Sequence, residues 1–146
     1  MEFITVEQFK EQAKEVQEIF LEWWNQYISD YDLVQDENRI MLYKNYLERG
    51  YIENDSYPLF TEGQLRKFIE DKTDGVVKNV QWHIEDDGVS KRGYSIYLLI
   101  KNEYRVTHHY IDLGEDLLQA YWKVACMIAK DQGENIYFIR KKYGRK

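Results

Sequence analysis

The sequence predicts an α+β fold in which a small antiparallel sheet, made of a hairpin and a three-stranded meander, packs with three helices. Amphipathic helical patterns lie near both ends of the chain, and strand-like segments separated by turn residues lie between them. At 146 residues the chain has the length of one ordinary domain, so we expect a single globular domain over residues 1–146. Hydrophobic residues make up 44% and charged residues 32%, which favours a globular chain over a disordered one.

The first predicted helix begins at a capping box formed by Thr5 and Gln8. Apolar residues then recur at spacings of three and four, which predicts a helix of about six turns with one apolar stripe. This stripe consists of Phe9, Ala13, Val16, Phe20, Trp23 and Tyr27. Adjacent side chains on a helix point about 100° apart. With Trp23 in the core, we therefore expect Trp24 to be partly exposed.

A hairpin is predicted next, with strands at 32–35 and 39–44 around a turn at 36–38. The Tyr-rich stretch 45–58 has no clear period and is predicted to be an irregular connector. Pro58, together with Thr61 and Gln64, marks the start of a second helix, which is expected to end near Lys72.

Three further strands are predicted at 76–85, 93–101 and 104–113, separated by turns at Asp87-Gly88 and Asn102-Glu103. They form an antiparallel meander with one apolar and one polar face. The last helix covers 117–132, follows Glu115 and Asp116, and is expected to end at Gly133. The apolar run 135–140 is interpreted as an added edge strand.

Catalytic and metal-binding patterns are weak. His108 and His109 are adjacent on a strand, so they point to opposite faces and are a poor chelating pair. Cys126 lies within an apolar helical pattern, where we expect a buried, unreactive thiol. Glu70 and Lys72 with Asp55 resemble a nuclease spacing, but a helix would point the first two in different directions. We therefore expect no enzyme activity, no catalytic residue, no metal and no cofactor.

A single cysteine excludes an internal disulfide and favours a reducing compartment. No basic-then-apolar leader opens the sequence, and no apolar run of about 18 residues occurs. We expect a location in the cytoplasm and no association with a membrane.

The charge is unevenly distributed along the chain. Residues 1–74 carry 17 acidic and 8 basic side chains, a net charge of −9, whereas residues 75–146 carry 9 and 12, a net charge of +3. An acidic body repels nucleic acid, so direct nucleic-acid binding is not expected. The basic end at 140–146 is interpreted as a solubilising, disordered tail, with phosphate contact as the alternative.

Carboxylates recur down the first helix at spacings of four, four, three and four, beside the apolar stripe. With one neighbouring aromatic residue they form the predicted partner-binding surface, which consists of Glu7, Glu11, Glu15, Glu18, Glu22 and Trp24. Regularly spaced carboxylates can occupy a basic groove that otherwise receives phosphates. The alternative is a solvated helix face with no partner.

The polar face of the meander is a second candidate surface. It is predicted to hold a ligand face made of His83, Tyr97, Arg105 and His109. Tyrosine accounts for 13 of the 146 residues, more than a core of this size needs. We expect Tyr51, Tyr57, Tyr97 and Trp24 to be partly exposed, because such side chains often anchor interfaces. The alternative is that each covers a seam between a helix and the sheet.

Three segments of the chain, "FLEWW", "YPLFTEGQLRKFIEDKT" and "DLLQAYWKVACMIAKD", resemble a group of small uncharacterised proteins encoded by phages and prophages of low-GC Gram-positive bacteria. That group often has Gly-Asp after the tryptophans, where this chain has "SDYD". The resemblance implies a phage origin and a role in binding host proteins, including nucleic-acid-handling and defence complexes. It assigns no role to any residue.

The sequence leads to two hypotheses of different classes. The first is a non-enzymatic phage or prophage accessory protein that binds a host or phage protein and inhibits a host nucleic-acid or defence complex, as an anti-CRISPR protein does. The second is a domain that binds or sequesters a small ligand such as a nucleotide on the polar sheet face. An undetected nuclease ranks third. The sequence leaves the partner and the oligomeric state open.

Overall fold

The computed structural model describes residues 2–36, 39–48, 56–84, 92–100 and 107–143. These residues form five helices and two three-stranded antiparallel sheets, so the predicted α+β class is confirmed. The predicted three helices are too few, and the hairpin and the meander belong to two sheets rather than to one. The elements are α1 (Val6–Lys10), α2 (Lys14–Tyr27), β1 (Leu33–Asp36), β2 (Arg39–Leu42), α3 (Tyr43–Glu48), β3 (Ser56–Pro58), α4 (Glu62–Thr73), β4 (Gly75–His83), β5 (Gly93–Ile100), β6 (Thr107–Tyr110) and α5 (Leu117–Tyr143).

The chain divides into two compact units, residues 3–61 and residues 62–146. The first unit holds α1 to α3 and the sheet β2-β1-β3, and the second holds α4, α5 and the sheet β4-β5-β6. The prediction of a single domain stays a prediction.

The predicted first helix is interrupted between α1 and α2, so a single six-turn helix is wrong. The capping box at Thr5 and Gln8 is present. The backbone leaves the helical region at Ala13, whose φ is −57° and ψ is 150°. The side-chain amide of Gln17 donates to the carbonyl of Gln12 at 2.9 Å and to that of Lys10 at 3.4 Å. At the interruption these two carbonyls lack the backbone N–H donors of a continuous helix, and the Gln17 side chain donates to them instead.

The hairpin of the first unit is confirmed, since Asp36 pairs with Arg39 and the strands pair on to Leu33 and Leu42. Residues 37 and 38 of the predicted turn lie outside the described residues. The predicted irregular connector at 45–58 is wrong in part, because α3 takes up its beginning and β3 its end. Strand β3 pairs with β1, which makes the hairpin a three-stranded sheet.

Aromatic side chains form the core of the first unit. The ring of Phe60 lies 5.5 Å from that of Phe20, 6.2 Å from that of Phe9 and 6.4 Å from that of Trp23. The backbone N–H of Ile4 donates to the carbonyl of Phe60 at 2.8 Å, which ties the start of the unit to its end.

The sheet of the second unit is the predicted meander, with β5 between β4 and β6. The turns predicted at Asp87-Gly88 and Asn102-Glu103 lie outside the described residues. The register between β4 and β5 shifts between Val77 and Asn79, which marks a β-bulge with Lys78 as the additional residue.

One face of this sheet is core. Val77, Ile96 and Leu98 are at most 4% exposed, and α4 and α5 contact this part of the unit through β4 and β5. The apolar face is not buried along its whole length, because Trp82 is 41% and Ile84 is 75% exposed. The helices therefore cover the middle of the sheet rather than its far end.

Helix α5 begins as predicted, because the Asp116 carboxylate accepts the backbone N–H of Gln119 at 2.9 Å. It does not end at Gly133, and the edge strand predicted at 135–140 is wrong, since α5 continues to Tyr143. The residues after Gly133 include good helix formers, which offset the modest helical cost of one glycine. The predicted tail at 140–146 is thus helical up to Tyr143, and the remainder lies outside the described residues.

Candidate functional site

The interruption between α1 and α2 divides the predicted row of carboxylates. Glu7 lies on α1 and Glu11 caps it, while Glu15, Glu18 and Glu22 follow on α2. All five are exposed. The prediction of one continuous row of five carboxylates on a single helix is therefore wrong. Glu15, Glu18 and Glu22 remain on one side of α2, and we call these three residues the α2 acidic face.

The α2 acidic face has no ion-pair partner in the part of the chain that the structure describes, where the ion pairs join other residues. Glu15, Glu18 and Glu22 are three and four residues apart, so their side chains are neighbours on the helix surface. Their mutual repulsion costs a few tenths of a kcal/mol per pair, and a cationic partner would remove that cost.

Trp24 is 9% exposed, so the expectation of a partly exposed anchor is wrong. Its indole N–H donates to the Asp32 carboxylate at 3.1 Å. Its ring meets that of Tyr43 edge-on, with centroids 5.7 Å apart. Trp24 therefore holds together the end of α2 and the chain that enters β1, and it offers a partner little surface.

Two tyrosines at and after the end of α2 are exposed, and for Tyr27 this corrects the prediction that it lies on the buried apolar stripe. Tyr27 is 48% exposed at the end of α2, and Tyr31 is 73% exposed in the following turn. That turn is ordered by hydrogen bonds, because the Asp32 carboxylate accepts the Ser29 N–H at 3.0 Å in addition to the Trp24 indole. The turn residues "ISDYD" have no periodic pattern that would have predicted this exposure.

The second candidate surface lies on the face of the β4-β5-β6 sheet opposite Ile96 and Leu98, which we call the outer sheet face. Tyr97 and His109 are direct cross-strand partners there, and their rings stack with centroids 3.7 Å apart and planes 11° from parallel. The imidazole Nε2 of His83 lies 2.9 Å from the hydroxyl oxygen of buried Ser95.

Three of the four residues predicted for a ligand face are thus on the outer sheet face, and Arg105 lies outside the described residues. His83 bonds to Ser95, whereas Tyr97 and His109 form a separate unit on β5 and β6. Tyr57 is partly exposed, as predicted, and its ring centroid lies 4.8 Å from the Lys10 ammonium. Tyr51 lies outside the described residues.

A shallow depression of about 270 Å³ opens on the outer sheet face and is lined by Lys78, Asn79, Gln81 and Tyr97. Asn79 is the cross-strand partner of Tyr97, and Gln81 that of Ser95. Residues 78 and 79 are consecutive, and strict strand alternation would place them on opposite faces. The bulge explains how both line the same depression, and no sequence pattern predicts that bulge.

The remaining reactive candidates are Cys126 and the suspected nuclease residues. Burial raises the pKa of the Cys126 thiol to about 12, although the residue is partly exposed rather than fully buried. Of the suspected nuclease residues, Glu70 accepts the Val77 backbone N–H at 2.8 Å and lies 3.8 Å from the Arg66 guanidinium. Asp55 lies outside the described residues. Within the described ranges, no three His, Cys, Asp or Glu side chains are grouped to hold a metal.

In the same ranges, no helix combines the length and the apolar character that crossing a bilayer requires. No protein-family model matches the chain, and neither a curated protein nor a solved structure matches it.

Proposed function

We propose that the protein is a non-enzymatic accessory protein of a phage or prophage that acts in the bacterial cytoplasm by binding a host or phage protein. The observation that carries this proposal is the α2 acidic face, three exposed carboxylates on one helix, followed by exposed Tyr27 and Tyr31. Carboxylates steer a basic partner and select against acidic ones, and partly exposed tyrosines supply apolar contact area.

The net charge of the first unit supports a basic partner. Residues 3–61 carry 12 acidic and 5 basic side chains, a net charge of −7, whereas residues 62–146 carry 13 and 15, a net charge of +2. The charge of the whole chain, −6, is thus concentrated in the unit that holds the α2 acidic face. Direct binding of nucleic acid to this unit is disfavoured, because phosphates and carboxylates repel each other.

The class of partner follows from the same chemistry. A protein groove that normally holds a nucleic-acid backbone is lined with Lys and Arg, and a helix bearing carboxylates at spacings of three and four fits such a lining. We therefore propose a nucleic-acid-handling or defence complex of the host as the target, with inhibition by occupation of its basic groove. The resemblance of three segments of the chain to phage and prophage proteins supports that setting.

Affinity capture tests this proposal. Tagged protein is incubated with host lysate, with and without nuclease, and the retained proteins are identified by mass spectrometry. We expect a stoichiometric partner that survives nuclease treatment and is lost when Glu15, Glu18 and Glu22 are replaced by Lys.

The matched control reverses three exposed carboxylates elsewhere, Glu2, Glu62 and Asp131, so that the net charge changes equally. Circular dichroism verifies that both triple variants fold. Equal loss of the partner in both would show that net charge alone matters, and retention by the α2 variant would contradict the assigned surface.

A further inference from the structure

The outer sheet face carries a site that is independent of the α2 acidic face and lies in the other unit. We propose that the depression beside Tyr97 binds a nucleotide, with the base stacked on the Tyr97 ring and the phosphate on Lys78. The inference goes beyond protein binding, and its success or failure leaves the proposed function unchanged.

The Tyr97 ring is already fixed in place. His109 on β6 stacks against one of its faces, with centroids 3.7 Å apart and an interplanar angle of 11°. The strand on the other side of β5 is β4, whose Asn79 and Gln81 line the depression together with Tyr97. One face of the ring is therefore backed by an imidazole, and the ring borders the depression. The proposal places the stacked base on its other face. A ring held in this way loses little conformational freedom when a ligand stacks on it.

Side-chain amides border the space where a stacked ring would lie. Asn79 and Gln81 each offer two N–H donors and one carbonyl acceptor, and both are exposed. The edges of nucleobases present mixed donors and acceptors, and proteins commonly read unstacked bases by aromatic stacking together with hydrogen bonds to these edges. An aliphatic or purely apolar ligand would leave such amides without partners.

The β-bulge in β4 places a positive charge at the depression. Lys78 is the additional residue between Val77 and Asn79, and it lines the same depression as the two amides. Bulges are frequent next to functional sites because they redirect a side chain that regular alternation would place elsewhere. The depression thus combines the Lys78 ammonium with an aromatic ring and two amides. This combination suits a nucleobase that carries a phosphate better than an uncharged base.

The volume of the depression limits the size of the ligand that it can hold. Its volume of about 270 Å³ is just below the usual range for small-molecule sites, which agrees with one base and its phosphate rather than a dinucleotide. A nucleic-acid strand could supply the same base and phosphate. We favour the free mononucleotide because Lys78 is the one cation among the described residues that line the depression, which suits a single phosphate.

Calorimetric titration with AMP, adenosine and ribose 5-phosphate separates the parts of the ligand. We expect saturable AMP binding in the high micromolar to millimolar range, weaker adenosine binding and weaker still binding of ribose 5-phosphate. Tyr97→Ala should weaken AMP by about tenfold, and Tyr97→Phe, which retains the ring, by little. Lys78→Gln should weaken AMP by about threefold or more while leaving adenosine unchanged. Lys130→Gln, an exposed lysine on α5, is the matched charge control.

Lys78 is exposed, so its variant tests the site even if Tyr97→Ala fails to fold. Absence of saturable AMP binding at millimolar concentration would overturn the proposal. Equal loss of affinity in the Lys78 and Lys130 variants would overturn the assigned phosphate contact. A short oligodeoxyadenylate that binds far more tightly than AMP, with affinity rising with its length, would reassign the site to a strand and overturn the free-nucleotide proposal.

Discussion

The indole N–H of Trp24 donates to the carboxylate of Asp32 at 3.1 Å, and this bond joins the end of α2 to the residue that precedes β1. The backbone of Asp32 is also engaged, since its carbonyl accepts the Tyr43 N–H at 2.8 Å. Trp24, the second of two adjacent tryptophans, thus stabilises the turn between α2 and β1. The turn that it fixes presents Tyr31.

Trp24→Phe should lower the free energy of unfolding by about 1–3 kcal/mol, because it removes a hydrogen bond to a carboxylate and some buried area. Asp32→Ala should have a similar effect, and the double variant should cost less than the sum of the two. Urea unfolding of the four proteins measures this coupling. Strictly additive costs would contradict a direct contact.

Gln17→Ala should destabilise the first unit by about 1 kcal/mol, because the carbonyl of Gln12 loses its amide donor at the interruption between α1 and α2. The control is Gln26→Ala, the same substitution at an exposed position on the same helix, where we expect a change near zero or slightly stabilising. Thermal unfolding compares the two variants. Equal melting temperatures would mean that Gln17 does not support the interruption.

Gly93→Ala should destabilise the second unit by about 3 kcal/mol or more. Gly93 has a φ of +135°, and an added Cβ would lie 2.5 Å from the backbone oxygen of Gly114. Gly63 on α4 is the control, since nothing lies within 4 Å of an added Cβ there, and Gly63→Ala should stabilise by about 0.4–1 kcal/mol. Chemical denaturation gives both values. A tolerated Gly93→Ala would contradict the close approach of the two backbones.

Cys126 should react slowly with a thiol reagent at pH 8 in the folded protein and rapidly in denaturant. Burial raises the pKa of its thiol from 9.0 to about 12, so the reactive thiolate is scarce when the protein is folded. The same shift makes stability depend on pH. The unfolded thiol loses its proton near pH 9 and the folded one near pH 12, so this contribution is full below pH 9 and is lost as the pH rises toward 12.

Cys126→Ser removes that thiol and should flatten the alkaline decline, though not abolish it. Burial also raises the pKa of Tyr110 and of Tyr121 above 10.0, and these shifts act in the same direction at higher pH. The free energy of unfolding, measured between pH 8 and the alkaline limit of folding, tests the sign. A stability that rises over this range would contradict it.

Periodic signals predicted much of this fold. The capping box at Thr5, the start of α4 after Thr61 and the alternation from Ile96 to Leu99 in β5 depend on local spacing, and all three are present in the structure. The predictions fail where a side-chain hydrogen bond or pairing with a segment distant in sequence determines the local structure. For example, the apolar spacing across Ala13 predicts one continuous helix, whereas the structure has an interruption there that the Gln17 side chain stabilises.

The candidate site was less predictable for the same reason. Alternation alone predicts that Tyr97 and His109 share one face of the sheet, and their cross-strand pairing confirms this prediction. Lys78 was missed, because a bulge depends on how two strands pair and leaves no mark in the sequence of one strand. The burial of Trp24 depends on Asp32 and Tyr43, which are brought to it by the turn and the first sheet.

The contact between the α2 acidic face and a partner is tested most directly by measuring the affinity of the captured partner for three proteins. These are the wild type, the α2 variant with charge reversals at Glu15, Glu18 and Glu22, and the control variant with charge reversals at Glu2, Glu62 and Asp131. We expect the α2 variant to bind at least about tenfold more weakly and the control to bind nearly as well as wild type, and we expect added salt to reduce this difference. Unchanged affinity in the folded α2 variant would contradict the claim that this helix face is the contact.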